Sequence, residues 1–276
     1  MGVPLVCPRF CSPNAWHLSS KWSHIMTITP AVALQARYGV VTADARDIGA
    51  AELELLAEDA GRRLAEARAI DILTWANLTF GDRFVVASSM ADGVVAHLAS
   101  RAHPGANVLF LDTGLHFAET LGTRDALIAT LDINLINAQP YLTVEQQDQK
   151  FGPLLWADDP DRCCGIRKVA VLERELAPFQ AWVTGIRGDE TADRVGTPVV
   201  QWDARRGMVK VNPIARWTHA EVDAYAERYG VLVNPLQQIG FQSIGCAPCT
   251  RPVRPGESAR AGRWAGRDKS ECGIHV

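Results

Sequence analysis

Four cysteines come in two pairs: Cys163-Cys164 in DRCCGIRKV and Cys246-x-x-Cys249 in IGCAPCTRP. Four thiolates are the number that a tetrahedral zinc site or a [4Fe-4S] cluster requires. Zinc knuckles usually space their cysteines, and an adjacent pair fits that geometry less well, which favours iron and sulfur over zinc. A fifth thiol, Cys272, stands apart in the closing KSECGIHV. No apolar pattern surrounds it. A thiol there is either incidental or a nucleophile on an arm that must meet two different partners, since the thiolate is the reactive form of cysteine. Basic residues crowd the same stretch. From Cys246 to Cys272, Arg251, Arg254, Arg260, Arg263, Arg267 and Lys269 outnumber Glu257, Asp268 and Glu271. That excess suits a small anionic ligand. Arg167 and Lys168 follow the adjacent pair and read first as a solvated helix face, although cations beside a metal site can also hold an anionic substrate.

These groups need elements to position them. Residues 50-70 have a helical period and are rich in Ala, Leu and Glu. RFVVASSMADGVVAHLASRA then reads as strand, polar loop and helix, and ANVLFLDTGLHFAETLGTRDAL repeats the theme. INLINA and QAWVTGIRGDE supply two more strands, the second ending at Arg187. WTHAEVDAYAERYG is a late helix, with Thr218 and Glu221 as a capping box and Gly230 as its stop. The alternation predicts an α/β fold with a mostly parallel sheet and helices on both faces. Ligands of such sheets bind beyond the carboxyl ends of the strands. The loops at Ser88-Ser89, Asp112-Thr113-Gly114 and Gly185-Ile186-Arg187 occupy such positions. The helix after Ser88-Ser89 offers free N–H groups to a phosphate. From Cys246 onward the chain is rich in Pro, Gly and Arg and reads as a loop-dominated tail.

Composition narrows the function classes. The 276 residues are 47% hydrophobic and 21% charged, which suits one folded domain with a sizeable core. The formal net charge of -3 carries no footprint for nucleic acid. No apolar run reaches the length of a membrane span. Residues 1-25 lack the plan of a signal peptide, and the Cys7-x-x-x-Cys11 spacing there is by itself a weak metal signal. Seven cysteines without a secretory signal argue for metal or redox chemistry in the cytoplasm rather than a disulfide framework.

Taken in order, CCGIRKV, WVTGIRGDET, IGCAPCTRP, RAGRW and ECGIH resemble the assimilatory adenylyl-sulfate (APS) reductases, the iron-sulfur branch of the phosphoadenylyl-sulfate (PAPS) reductase family. VVASSMADGVV and VLFLDTGLHFAET look like that family's nucleotide loops. The resemblance runs from about Arg83 to His275. It implies an adenine-nucleotide α-hydrolase-like sheet and reduction of adenosine 5'-phosphosulfate to sulfite and AMP, with thioredoxin as electron donor. It further implies that Cys163, Cys164, Cys246 and Cys249 ligate a [4Fe-4S] cluster and that Cys272 is the nucleophile, passing through an S-sulfocysteine. Lys168, Arg187, Arg260 and Arg263 match the family's basic substrate contacts, and His275 matches a histidine of the closing tail. Either Ser88 or Ser89 takes the phosphate. Where the family often carries a second arginine after GIR, this chain has Gly188.

The division expected is an extension over 1-25, a nucleotide-binding catalytic domain over 26-245, and a cluster loop with a flexible catalytic tail over 246-276. Two other readings remain at this stage. One is a reductase of 3'-phosphoadenylyl-sulfate, or of both nucleotides. The other is a non-catalytic iron-sulfur or zinc redox sensor, which leaves the ECGIH tail without a purpose. Assembly into a homo-oligomer is left open.

Overall fold

The computed structural model describes residues 29–43, 48–269 and 271–275. The expected extension over 1-25 lies outside the described residues. Three helices lead in: α1 (Pro30–Tyr38), α2 (Ala50–Arg63) and α3 (Ala69–Phe80). The single helix anticipated over 50-70 is thus two, broken after Arg63, and ILTWANLTF belongs to the second. That helix buries Ile72, Leu73, Trp75 and Ala76 completely.

The sheet then builds as β1 (Phe84–Ala87), α4 (Val94–Ala102), β2 (Ala106–Leu111), α5 (Ala118–Thr130) and β3 (Ile133–Ala138). A helical stretch follows, made of α6 (Val144–Phe151), α7 (Leu155–Asp158), α8 (Pro160–Cys164), a π-helical turn (Gly165–Val169) and α9 (Ala170–Leu176). After it come β4 (Ala181–Val183), β5 (Val200–Asp203), β6 (Met208–Val211) and α10 (His219–Tyr229). The strand order is β3-β2-β1-β4-β6-β5, and only β5 runs antiparallel. The β5-β6 hairpin, VQWD-ARRG-MVKV, was not anticipated; its Gly207 takes φ 63 at the turn. The capping box of Thr218 and Glu221 and the left-handed Gly230 delimit α10 as the sequence predicts.

Alternation along the strands serves two faces. Phe84, Val86, Val108, Phe110, Val209 and Val211 join one core under α1 to α4 and α10. Val85, Leu109, Trp182 and Met208 join a second core with Val171, Leu172 and Leu176 of α9. Strands covered on both sides are continuously apolar, as FVVA and AWV are. Ile274, from the C-terminal segment, packs against the second core. Ile274 is therefore part of one layer of the fold.

Strand order reverses between β1 and β4, the central pair. The loops that leave their carboxyl ends diverge there and open a crevice.

Candidate active site

The loop after β1 is held from beneath. Met90 adopts φ 58 with its side chain fully buried, a conformation that costs energy for any residue with a Cβ. Buried Asn234 holds it there: its Nδ2 donates to the Met90 carbonyl at 3.2 Å and to Thr120 Oγ1 at 3.1 Å. Gln237 Nε2 donates to the Ala91 carbonyl at 2.8 Å. Asp92 Oδ1 accepts from the Val94 N–H at 2.9 Å at the start of α4, and burial pushes its carboxyl above the usual range. Ser88 Oγ accepts from the Met90 N–H at 3.3 Å, while Ser89 stands exposed on the crevice.

The loop after β4 carries Arg187. Its Nε donates to Asp189 Oδ1 at 3.0 Å, so this cation enters the crevice already paired. Thr184 Oγ1 donates to Asn212 Oδ1 at 2.6 Å and ties the loop to the residue after β6.

Between α8 and α9 the π-helical turn widens the helix just after Cys163 and Cys164. The turn buries Arg167 and Lys168, so of the two readings of this pair the solvated helix face is excluded. Arg167 donates to the Thr113 carbonyl and to Gln147 Oε1, anchoring the turn to the loop after β2. Cys246 Sγ lies 3.3 Å from Thr113 Oγ1, and the Ala247 N–H donates to the Leu115 carbonyl at 2.7 Å. The loop after β2 thus draws both cysteine pairs together. Cys163, Cys164, Cys246 and Cys249 line one small cavity walled by Leu115, Trp156, Pro160 and Trp264. They ring a space rather than meet at a point: among the described residues no three His, Cys, Asp or Glu groups are arranged to hold one metal ion.

The electrostatics of this cavity are uneven. Burial and the neighbouring Cys164 push the Cys163 thiol up to about 12, and burial takes Cys164 to about 11. Burial works the same way on Cys246, but Lys168, the Thr113 hydrogen bond and Arg263 outweigh it and lower that thiol's pKa. Burial opposes the charge of Lys168, yet its electrostatic attraction to the neighbouring Cys246 and Cys272 sulfurs overcomes this and raises its pKa.

Lys168 also lines the larger crevice, with Ser88, Ser89, Arg187, Arg263, Cys272 and His275. Arg260 is the one expected substrate contact outside the crevice lining; it reaches the site through Glu271, 3.1 Å away. Arg263 lies over the Trp264 ring at 4.5 Å and donates to Ser243 Oγ and the Ile244 carbonyl, both at 3.4 Å. A Cβ on Gly245 would stand 2.3 Å from its Nη2, so only glycine admits the guanidinium there.

The tail is docked, and its described residues form no α-helix or extended strand. Thr250 pairs with Arg263 in an isolated β-bridge, and the Trp264 N–H donates to the Cys249 carbonyl at 3.0 Å. Cys272 is half-buried on the crevice. The ring of His275 stacks on Trp182 at 5.7 Å and 12°. Its burial, with Lys210, Arg194, Arg260 and Arg206 around it, holds the imidazole pKa well below its ordinary value. Four residues here were missed from the sequence. Arg194 pairs with Glu190 and with Glu271, and Arg206 pairs with Asp203. Trp182 acts through contacts distant in sequence. Asn234 has a local role as well, accepting from the Leu236 N–H at 3.1 Å, but its hold on Met90 and Thr120 is long-range, and no local motif marks that.

A two-sided parallel sheet, a strand-end crevice and a thiol among cations define a nucleotide-site enzyme of the α/β class. The phosphoadenosine phosphosulfate reductase domain matches residues 83–252. The chain is 59% identical over 224 residues to an adenosine 5'-phosphosulfate reductase of Streptomyces coelicolor, spanning 81% of this chain and 95% of that one. It is 49% identical to the enzyme of that name from Mycolicibacterium smegmatis, spanning 82% and 95%. Among solved structures, the phosphoadenylyl-sulfate reductase of Candida auris in a phosphate complex superposes with a TM-score of 0.61 at 25% identity, covering 72% of this chain and 97% of that one. The chain belongs to the phosphoadenosine phosphosulfate reductase family.

Proposed function

We propose that the chain reduces adenosine 5'-phosphosulfate to sulfite and AMP in sulfate assimilation, taking its electrons from thioredoxin in the cytoplasm. The name shared by its closely similar relatives supports this substrate over the 3'-phosphorylated one. The observation that carries the mechanism is the separation of the thiols: Cys272 faces the crevice with the cations, while the other four line a cavity of their own.

Cys272 is the nucleophile in this reading. Its thiolate attacks the sulfonyl sulfur, the bond from sulfur to the phosphate oxygen breaks, and AMP leaves with that electron pair. Charge grows on the sulfonyl and phosphate oxygens during transfer, and Lys168, Arg187 and Arg263 stand where they can stabilise it. Exposed Ser89, on the strand-end loop before α4, is better free to meet a phosphate than Ser88, whose hydroxyl is engaged with Met90. The product is an S-sulfocysteine on Cys272. A thioredoxin thiolate then attacks the Cys272 sulfur and expels sulfite, leaving a mixed disulfide. The second thioredoxin thiol resolves it, so thioredoxin ends as a disulfide and Cys272 as a thiolate. A protein donor needs the arm to move out of the crevice for that step.

Cys163, Cys164, Cys246 and Cys249 would hold a [4Fe-4S] cluster. Four thiols around one cavity, with cations lowering the pKa of one and apolar walls excluding water, fit such a group. When bound, the cluster supplies a fixed electrostatic environment beside Lys168, since thiol exchange accounts for both electrons.

The test is a reaction without reductant. Protein mixed with adenosine 5'-phosphosulfate should release one equivalent of AMP, stop, and gain one sulfo group mapped to Cys272. Reduced thioredoxin should then liberate sulfite. The same run with the 3'-phosphorylated nucleotide should be much slower. An adduct on another residue, or AMP release with none, would overturn the reading.

A further inference from the structure

The arm is tied down on each side of Cys272 by a different element. On the N-terminal side, the Glu271 carboxylate takes Arg194 Nη2 at 2.7 Å on one oxygen and Arg260 Nη2 at 3.1 Å on the other. Arg194 comes from the loop after β4, and Glu190 of that loop pairs with it as well. On the C-terminal side, Arg206 Nη2 donates to the Ile274 carbonyl at 2.9 Å. Arg206 belongs to the β5-β6 hairpin turn. Its own position is fixed: Nη1 donates to Asp203 Oδ2 at 2.9 Å, and its guanidinium lies 5.1 Å above the Trp182 ring. Trp182 Nε1 donates to the same carboxylate oxygen at 3.1 Å. Asp203, Arg206 and Trp182 form a socket through contacts among themselves, and among the described residues the arm brings the Ile274 carbonyl and the His275 ring to it.

We infer that Glu271 and Arg206 are positioning residues that clamp the arm at two points and so present Cys272 to the crevice. This rests on the assignment of Cys272 as nucleophile. The two ties differ from a packed core in a way that suits the task. Both are charge-assisted hydrogen bonds whose partners water can replace; on the C-terminal side the apolar contacts of Ile274 with the second core and of His275 with Trp182 must part as well when the arm opens. The backbone between them bends at Gly273, with φ 84, where a Cβ would stand 3.3 Å from Val169 Cγ2. A sharp bend at this point turns the Cys272 side toward the crevice and the Ile274 side toward the second core. Neither tie touches the reacting atoms. Each acts by setting the fraction of time the arm is closed.

The clamp can be read without substrate. A polyethylene-glycol maleimide is too bulky to reach a half-buried thiol on the crevice wall, so its reaction with Cys272 reports the open arm. Glu271→Gln and Arg206→Ala should each raise the labelling rate by about ten- to a hundredfold, the range expected when one hydrogen bond to a charged group is lost. The increase should vanish when Cys272→Ser is added to each variant. Arg206→Lys, which can still donate to the Ile274 carbonyl, should stay within a few-fold of wild type. Thermal midpoints should remain close to wild type in Glu271→Gln, whose side chain keeps its shape. In a single turnover without reductant, AMP release should slow in both variants, while removal of a preformed sulfo group by thioredoxin should not. Labelling of Glu271→Gln within twofold of wild type overturns the clamp, even if Arg206→Ala fails to fold. Labelling needs neither nucleotide nor turnover. It can therefore succeed where the reductase assay fails, and the two failures are distinguishable.

Discussion

The two sets of thiols occupy adjoining cavities but are held in opposite ways. Cys163, Cys164 and Cys246 are buried, and the first two are fixed by a helix end and a π-helical turn. Cys272 is half-buried on a segment whose described residues form no α-helix or strand; hydrogen bonds to side chains of other elements hold Glu271 and Ile274, and packing is confined to Ile274 and His275 on its C-terminal side. Packing is costly to undo, because moving a buried group exposes apolar surface. A polar tie exchanged for water costs about 1–3 kcal/mol and leaves no large apolar face bare. Thiols that are packed suit a permanent ligand. A thiol on polar tethers suits a group that must face a small nucleotide at one moment and a protein at the next.

The comparison can be broken most directly at the thiols themselves. Cys272→Ser should lower sulfite formation by more than about a thousandfold, because a hydroxyl lacks both the accessible anion and the reversible exchange. The same variant should bind nucleotide and retain iron as wild type does, as equilibrium binding and metal analysis would reveal. Substituting both Cys246→Ser and Cys249→Ser should produce the reverse pattern, with iron falling toward zero and the thermal midpoint dropping, since metal binding and folding are coupled. Full iron retention there would mean that the four thiols are not a ligand set.

Arg263 sharpens the contrast from the side of the cations. If it touches the transferring group, Arg263→Ala should cost on the order of 2–5 kcal/mol in kcat/KM. The guanidinium also covers Trp264, so a smaller loss of about 1 kcal/mol in stability should accompany it. A stability loss with unchanged kinetics would make this arginine part of the wall.

The smallest effect concerns the floor under His275. Lys210 is buried, with Arg206 and Arg194 adding repulsion that Asp203 and Glu271 only partly offset, and its pKa falls from 10.5 to about 8. Below about pH 8 the amine is protonated in both the folded and unfolded chain, and the cost of burying its charge is present in full. Between there and its unfolded value the unfolded chain binds more protons, so stability rises with pH. Lys210→Met should flatten that rise, which is expected to be about 1–2 kcal/mol in chemical denaturation at pH 7 and pH 10. A rise that persists in the variant would assign it to another group.

Much of the architecture is legible in the sequence for a simple reason. Strand-loop-helix units are local: VVASSMADGVVAHLA carries its strand, its polar loop and its helix within fifteen residues. Apolar runs alternate with amphipathic ones, and no distant contact is needed to see them. The hairpin over β5 and β6 was missed because its strands are only four residues each, too short for a clear alternation, and β6 finds its place in the sheet by pairing with the distant β4. Between a solvated helix face and a place beside the cysteines, the sequence could not choose for Arg167 and Lys168; the π-helical turn buries both.

By itself the sequence determined the inventory of the chemistry: two cysteine pairs, a separate terminal thiol, a basic tail and three polar loops at strand ends. Residue type and spacing are covalent facts and survive any fold. Tertiary structure alone decided which cations meet which anions. Arg194 meets Glu271 77 residues further on, Arg260 meets the same carboxylate, and Arg206 grips a backbone carbonyl 68 residues away in the chain. Such partners are set by where a parallel sheet brings its strand ends and by what the second core must cover, and neither is written in any window of the sequence.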